Sequence, residues 1–108
     1  MEDREKIIML YDYYGDLFNS IAKSYFESYY FDNLSLSEIA ENENKSRNAI
    51  HKSIKNTIKY LYEYENKLKL YAKETKLKEI ITKITDERIK KEIEELLWKT
   101  NYQYISII

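Results

Sequence analysis

The chain has 108 residues, one glycine, no proline and no cysteine, and its 18 Lys+Arg and 19 Asp+Glu give a formal net charge of -1. We expect a chain of this length to form a single domain over residues 1–108 that buries a hydrophobic core. The absence of cysteine excludes disulfides, thiolate metal sites and thiol nucleophiles. Sheets and phosphate-binding loops need several glycine-dependent turns. The composition therefore predicts an all-α fold.

Charge is divided unevenly along the chain. The net charge is -7 over residues 1–44, +7 over residues 45–83 and -1 over residues 84–108. A positive segment attracts polyanions even when the whole protein is slightly acidic. The middle segment therefore indicates nucleic acid as a partner, with a solvated lysine-rich helix face as the alternative.

No apolar run approaches the roughly 20 residues that cross a bilayer. The first five residues, Met-Glu-Asp-Arg-Glu, are charged and lack the apolar core of a signal peptide. We expect a cytoplasmic protein without membrane insertion.

Two helices are predicted before residue 35. The first runs from Asp3 to about Tyr14, and Gly15 is its expected stop. Asn19 can cap the second. Its apolar stripe is predicted to form core rather than a ligand site, and comprises Ile21, Ala22, Tyr25, Phe26, Tyr29 and Tyr30.

A helix-turn-helix is predicted over about residues 35–60. Ser35 and Glu38 have the spacing of a capping box that starts a short helix. Asn44 replaces the usual glycine of the following turn in left-handed geometry, and Ser46 caps the next helix. Ala40 is small enough for the two helices to approach closely.

The second helix of this motif is expected to be long. Ile50, Ile54, Ile58 and Leu61 repeat at helical spacing, and the stripe can continue toward Leu68 and Tyr71. Arginine and asparagine on its outer side can read guanine and adenine, and lysines and serine suit phosphates. The predicted nucleic-acid-binding residues are Lys45, Ser46, Arg47, Asn48, His51, Lys52, Lys55 and Lys59.

A C-terminal helical extension is predicted over about residues 73–108. It contains a short helix from Thr75 to Lys83 and a second one capped by Asp86. The apolar side of the second helix contains Ile89, Ile93, Leu96, Leu97 and Trp98. The apolar tail over residues 101–108 is expected to be buried against this chain or a partner. These segments offer surface for a homodimer.

Catalysis is not expected from this sequence. Its single histidine, His51, has no cysteine partner and falls on the predicted exposed face. A metal site would have to consist of carboxylates alone. We therefore expect a non-enzyme with no cofactor and no metal.

Three segments carry a resemblance to a known family. They are Tyr-Tyr-Phe-Asp-Asn-Leu-Ser-Leu-Ser-Glu-Ile-Ala-Glu at residues 29–41, Ser-Arg-Asn-Ala-Ile at residues 46–50, and Tyr-Glu-Asn-Lys-Leu at residues 64–68. In these segments the sequence resembles the YlxM family of small bacterial helix-turn-helix proteins. The resemblance implies an all-helical protein similar to region four of sigma factors, a helix-turn-helix without a wing. It also implies a regulatory role, with a link through gene neighbourhood to the signal recognition particle.

Two functions remain open at this point. The first is DNA binding by the helix that begins at Arg47, with regulation of transcription as its consequence. The second is an adaptor that contacts protein or RNA components of the signal recognition particle without binding DNA, since a helix-turn-helix can also serve protein contacts.

Overall fold

The computed structural model describes residues 3–100, with side chains described over residues 3–97. Every regular element in this part of the chain is helical, which confirms the predicted all-α fold. A short 3-10 turn, Gly15–Leu17, follows the first helix. The helices are α1 (Arg4–Tyr14), α2 (Ser20–Tyr30), α3 (Leu36–Glu43), α4 (Arg47–Leu68), α5 (Leu70–Ile81) and α6 (Glu87–Thr100). The predicted burial of the 101–108 tail lies outside the described residues.

The helices form two compact units, of which the first ends at Leu68 and the second begins at Lys69. Within the first unit α4 packs against α1, α2 and α3, and within the second α5 packs against α6. Two units in a chain this short can still fold together. The single domain over residues 1–108 therefore stays a prediction.

The core of the first unit comes from one face of each of its four helices. Its most buried large side chains are Ile7, Leu10 and Tyr14 of α1, Phe26 of α2, Ile39 of α3, and Ile50, Ile54 and Leu61 of α4. Tyr11 stacks on Phe26 with 4.0 Å between ring centroids, so aromatic packing joins α1 to α2. The aromatic stripe of α2 is core, as its spacing predicts.

Ile21 departs from this prediction. Its side chain is 63% exposed, although its spacing assigns it to the buried stripe. It lies in the first turn of α2, where the helix begins beyond the edge of the core. Helical spacing identifies a face but not how far along the helix that face is covered.

Local signals place the helix-turn-helix as predicted. The Ser35 Oγ accepts from the Glu38 backbone N–H at 3.0 Å, and the Glu38 carboxylate accepts from the Ser35 N–H at 3.0 Å. Asn44 ends α3 at φ 55° and ψ 47°, in the left-handed region. Ala40 is buried, as the close approach of α3 to α4 requires.

The predicted course of α4 past Leu68 is wrong. Lys69 takes a left-handed conformation at φ 56°, which ends α4 after 22 residues and starts α5 at Leu70. The α5 helix therefore begins before the predicted Thr75. The apolar repeat across residues 61–71 continues without a break, so periodicity alone did not reveal this boundary.

Candidate nucleic-acid interface

The second helix of the motif, α4, begins at a defined cap. The Ser46 Oγ accepts from the Ala49 backbone N–H at 3.1 Å, which satisfies one of the free donors in the first turn. Before it, the Lys45 N–H donates to the Ala40 carbonyl at 2.9 Å and closes the end of α3. The turn therefore has hydrogen bonds on both sides, and Asn44 supplies its left-handed residue without glycine.

The buried side of α4 determines which side faces outward. Ile50, Ile54, Thr57 and Leu61 are buried. A rotation of about 100° per residue then places Asn48, Lys52, Lys55 and Lys59 on the opposite side, within an arc of roughly 60°. All four of these side chains are exposed. They form one continuous polar strip along the first three turns of the helix.

The remaining predicted residues lie beside this strip or before it. Arg47 is exposed in the first turn, closer to the buried side than the strip. His51 is half-buried on the same flank. Lys45 is exposed in the turn, and Ser46 uses its oxygen as an acceptor for the helix cap while its hydroxyl proton stays available to a phosphate.

The cations of this surface make no ion pair within residues 3–97. This holds for Lys45, Arg47, Lys52, Lys55 and Lys59. Other lysines of the chain are paired, since Lys23 lies 2.7 Å from Asp16. The positive charge on α4 is therefore not neutralised by carboxylates of its own unit.

The N-terminal half of α4 contains no carboxylate of its own. No Asp or Glu occurs between Arg47 and Tyr62. Glu65, in the last turns, accepts from the Tyr14 hydroxyl at 2.6 Å. Glu27 of α2 accepts from the Tyr11 hydroxyl, also at 2.6 Å. Both tyrosines belong to the core side, so these charges are held by internal contacts.

Sequence reasoning missed one candidate, Asn56. It is exposed four residues after Lys52 and lies at the edge of the polar strip. Its signal was the same spacing that identifies Lys52 and Lys59. An amide there can donate to phosphate or to a base edge.

A groove lies on the other edge of this strip, between the start of α2 and the side of α4. Its volume is about 430 Å³. Leu17 and Ile21, at 58% and 63% exposure, are the sequence neighbours of Phe18 and Ala22 in its lining. Its lining residues are Phe18, Asn19, Ala22, Ala49, Lys52, Ser53, Asn56, Thr57 and Tyr60. The groove therefore joins apolar residues of α2 and α4 to Lys52 and Asn56 of the polar strip.

Two other kinds of site are absent from the described residues. No cluster of three or more His, Cys, Asp or Glu side chains there could hold a metal ion. In the same part of the chain, no helix has the length and apolar character needed to span a membrane.

The fold and this surface define a helix-turn-helix protein. The chain belongs to the UPF0122 family, whose description reads "Putative helix-turn-helix protein, YlxM / p13 like", and the match covers residues 1–100. This confirms the resemblance inferred from the sequence.

Relatives in several bacteria carry the same family name. A UPF0122 protein of Malacoplasma penetrans is 43% identical over 103 residues, covering 91% of this chain and 95% of the relative. One from Clostridium novyi is 46% identical over 90 residues, covering 80% and 78%. One from Fusobacterium nucleatum is 33% identical over 97 residues, covering 90% and 94%.

Proposed function

We propose that the protein binds duplex DNA through the exposed side of α4 and regulates transcription as a non-enzyme in the cytoplasm. The observation that carries this proposal is the strip of Asn48, Lys52, Lys55 and Lys59, opposite the buried side of a capped helix. Its lysines make no ion pair with any side chain of residues 3–97. An α-helix fits the major groove of B-form DNA, and unpaired lysines are free to replace the counterions of phosphates.

The residues divide by chemistry into two roles. Asn48 and Arg47 can form bidentate hydrogen bonds to adenine and guanine, so they are proposed to read bases. Lys52, Lys55 and Lys59 are proposed to contact phosphates, together with Lys45 and Ser46 at the turn. His51, half-buried on the flank, is proposed to contribute to the edge of the interface.

Salt-dependent binding tests this proposal. The anisotropy of labelled duplex DNA is measured against salt for wild type, for Lys52→Ala with Lys55→Ala, and for Lys67→Ala with Lys73→Ala. Each lost phosphate contact lowers the salt slope of affinity by about 0.9. We expect the first pair of substitutions to lower the salt slope by nearly twice this amount, because two phosphate contacts are lost. The control pair removes the same charge from exposed sites outside the strip and should leave the slope unchanged.

Equal and salt-insensitive binding by all three proteins would refute DNA binding through α4. A loss of slope in both double variants alike would mean that net charge acts, rather than this surface.

A second candidate function is an adaptor that contacts components of the signal recognition particle. Leu17 and Ile21 are exposed apolar residues that the proposed DNA binding does not use, and such residues support a protein contact. Binding of the purified particle GTPase to wild type and to Ile21→Ser, with and without nuclease, tests it. A nuclease-resistant complex that Ile21→Ser weakens would support the adaptor. If no such complex forms while DNA binding is intact, the adaptor is refuted and only the first proposal, DNA binding through α4, remains.

A further inference from the structure

Within the described residues, the apolar side of the last helix, α6, is only partly covered. None of its described side chains, residues 87–97, is buried. Ile89 and Leu96 are 48% and 68% exposed, and Ile93 and Leu97 are half-buried. These four residues lie on one side of the helix at spacings of four, three and one. A strongly amphipathic helix of this kind normally buries such a stripe against another element.

The neighbouring helix α5 covers this stripe only in part. The two helices pack together within the second unit. Ile80 of α5 nevertheless stays 42% exposed. In a pair of helices each helix has one apolar side. A third helix or another element is needed to bury both apolar sides completely.

The charges of α6 follow an order along residues 88–95. Three cations, Arg88, Lys90 and Lys91, precede three carboxylates, Glu92, Glu94 and Glu95, and residues of opposite sign, Glu87 and Lys99, stand before and after this run. Each cation has a carboxylate four residues later, but none of these pairs forms an ion pair in the described part of the chain. Lysine before glutamate is also the less favourable order for such pairs. Pairing inside the helix therefore does not account for the pattern.

We propose that two copies of the chain associate through α6 in antiparallel orientation. Antiparallel pairing brings the three cations of each helix toward the three carboxylates of the other, whereas parallel pairing sets cations beside cations and carboxylates beside carboxylates. The apolar stripe is nearly symmetric about Ile93, with Ile89 four residues before it and Leu97 four residues after it. The stripes of two copies therefore face each other along their length when one helix is reversed, as a two-fold interface requires.

This interface has the composition of a small helical bundle. The apolar stripe, with Ile93 at its midpoint, forms the core of this interface. The charges lie at the flanks and set the orientation, as they do in coiled coils. Self-association through α6 does not depend on DNA binding. Its tests are made without DNA, so the two proposals can fail separately.

Light scattering of the full chain tests self-association. Wild type is expected at twice the chain mass of 13.2 kDa. Leu96→Glu places a charge in the stripe at a side chain that is 68% exposed, and is expected to raise the dimer Kd by about tenfold or more. Leu17→Glu, at an exposed leucine of the first unit, is the matched control and is expected to remain a dimer. Circular dichroism confirms that each variant is helical.

A charge-exchange variant tests the orientation. Its six substitutions are Arg88→Glu, Lys90→Glu, Lys91→Glu, Glu92→Lys, Glu94→Lys and Glu95→Lys. If the helices pair antiparallel, the variant dimerises with itself but not with wild type, because a mixed pair would bring like charges together. If they pair parallel, the variant instead prefers wild type to itself. Mixing affinity-tagged wild type with the untagged variant distinguishes the two.

Three results would overturn the proposal. They are a monomeric wild type at micromolar concentration, a Leu96→Glu variant that dimerises as wild type does, and a charge-exchange variant that prefers wild type to itself.

Discussion

The position that a Cβ atom would occupy on Gly15 lies 3.0 Å from Cζ of Tyr11. Gly15 has ordinary helical geometry at φ -57° and ψ -36°, so its backbone does not require glycine. What requires glycine is the Tyr11 ring, which is held between the stacked Phe26 ring and a hydrogen bond to Glu27. The only glycine of the chain is therefore explained by close packing rather than by a turn.

The contact at Gly15 predicts that Gly15→Ala destabilises the protein. Alanine reduces the entropy of the unfolded chain, but the added methyl group presses on a ring that stacking and a hydrogen bond hold in place, and we expect a net loss of about 1 kcal/mol. Urea unfolding measures this. Adding the same methyl group in a Tyr11→Leu background should cost less, and equal costs in both backgrounds would mean that the ring is not responsible.

Tyr11 predicts a loss of stability in alkaline solution. Burial, followed by the hydrogen bond to Glu27, raises the pKa of Tyr11 far above its ordinary value. The unfolded chain loses this proton near pH 10 while the folded chain keeps it, so the free energy of unfolding falls as pH rises above 10. Tyr11→Phe should make this fall shallower by about 1.4 kcal/mol per pH unit. Tyr60→Phe, at an exposed tyrosine, should not change it.

Glu38 predicts a smaller effect in acid. Hydrogen bonds from Ser35, first from its backbone N–H, hold the pKa of Glu38 below its ordinary value. The carboxylate therefore stabilises the fold above its ordinary pKa, and this contribution disappears as pH falls through the folded value. Glu38→Gln should be less stable than wild type at pH 7 and nearly equal at the acid end of a urea series. A constant difference across pH would contradict the capping box as its source.

The turn at Asn44 predicts opposite results for two small residues. Asn44→Gly should be tolerated, because glycine takes φ 55° without strain. Asn44→Ala should cost about 1 kcal/mol, because the Cβ of alanine is strained in this region and no polar side chain offsets it. Thermal or urea unfolding compares the two. Equal stability of the two variants would show that the left-handed geometry is not maintained.

Asn48 and Lys59 predict two different losses of DNA binding. Asn48→Ala should lower discrimination at one base pair by about 1–3 kcal/mol while leaving the salt slope unchanged. Lys59→Ala should weaken binding to all sequences alike and lower the slope by about 0.9. The affinities of both protein variants are measured for a selected binding sequence and for DNA that differs from it by a single base pair. Identical behaviour of the two variants would contradict the proposed division of roles.

Sequence alone determined the helix-turn-helix and its family. The helix caps at Ser35, Asn44 and Ser46 are made by hydrogen bonds between residues no more than four apart, as in the pair Ser35 and Glu38. These hydrogen bonds can therefore be inferred without knowing the rest of the fold. The outward direction of Lys52, Lys55 and Lys59 follows from helical spacing once Ile50 and Ile54 are assigned to the core. Both inferences depend on local geometry alone.

Only the tertiary structure decided the features that depend on distant neighbours. Thr57, rather than Ile58, is the fully buried residue between Ile54 and Leu61. The exposure of Ile21, the end of α4 at Leu68 and the closeness of Gly15 to Tyr11 likewise depend on where other helices lie. Helical periodicity gives the direction in which a side chain points. Which other helix contacts that side chain, and at what distance, is decided by packing across the whole fold.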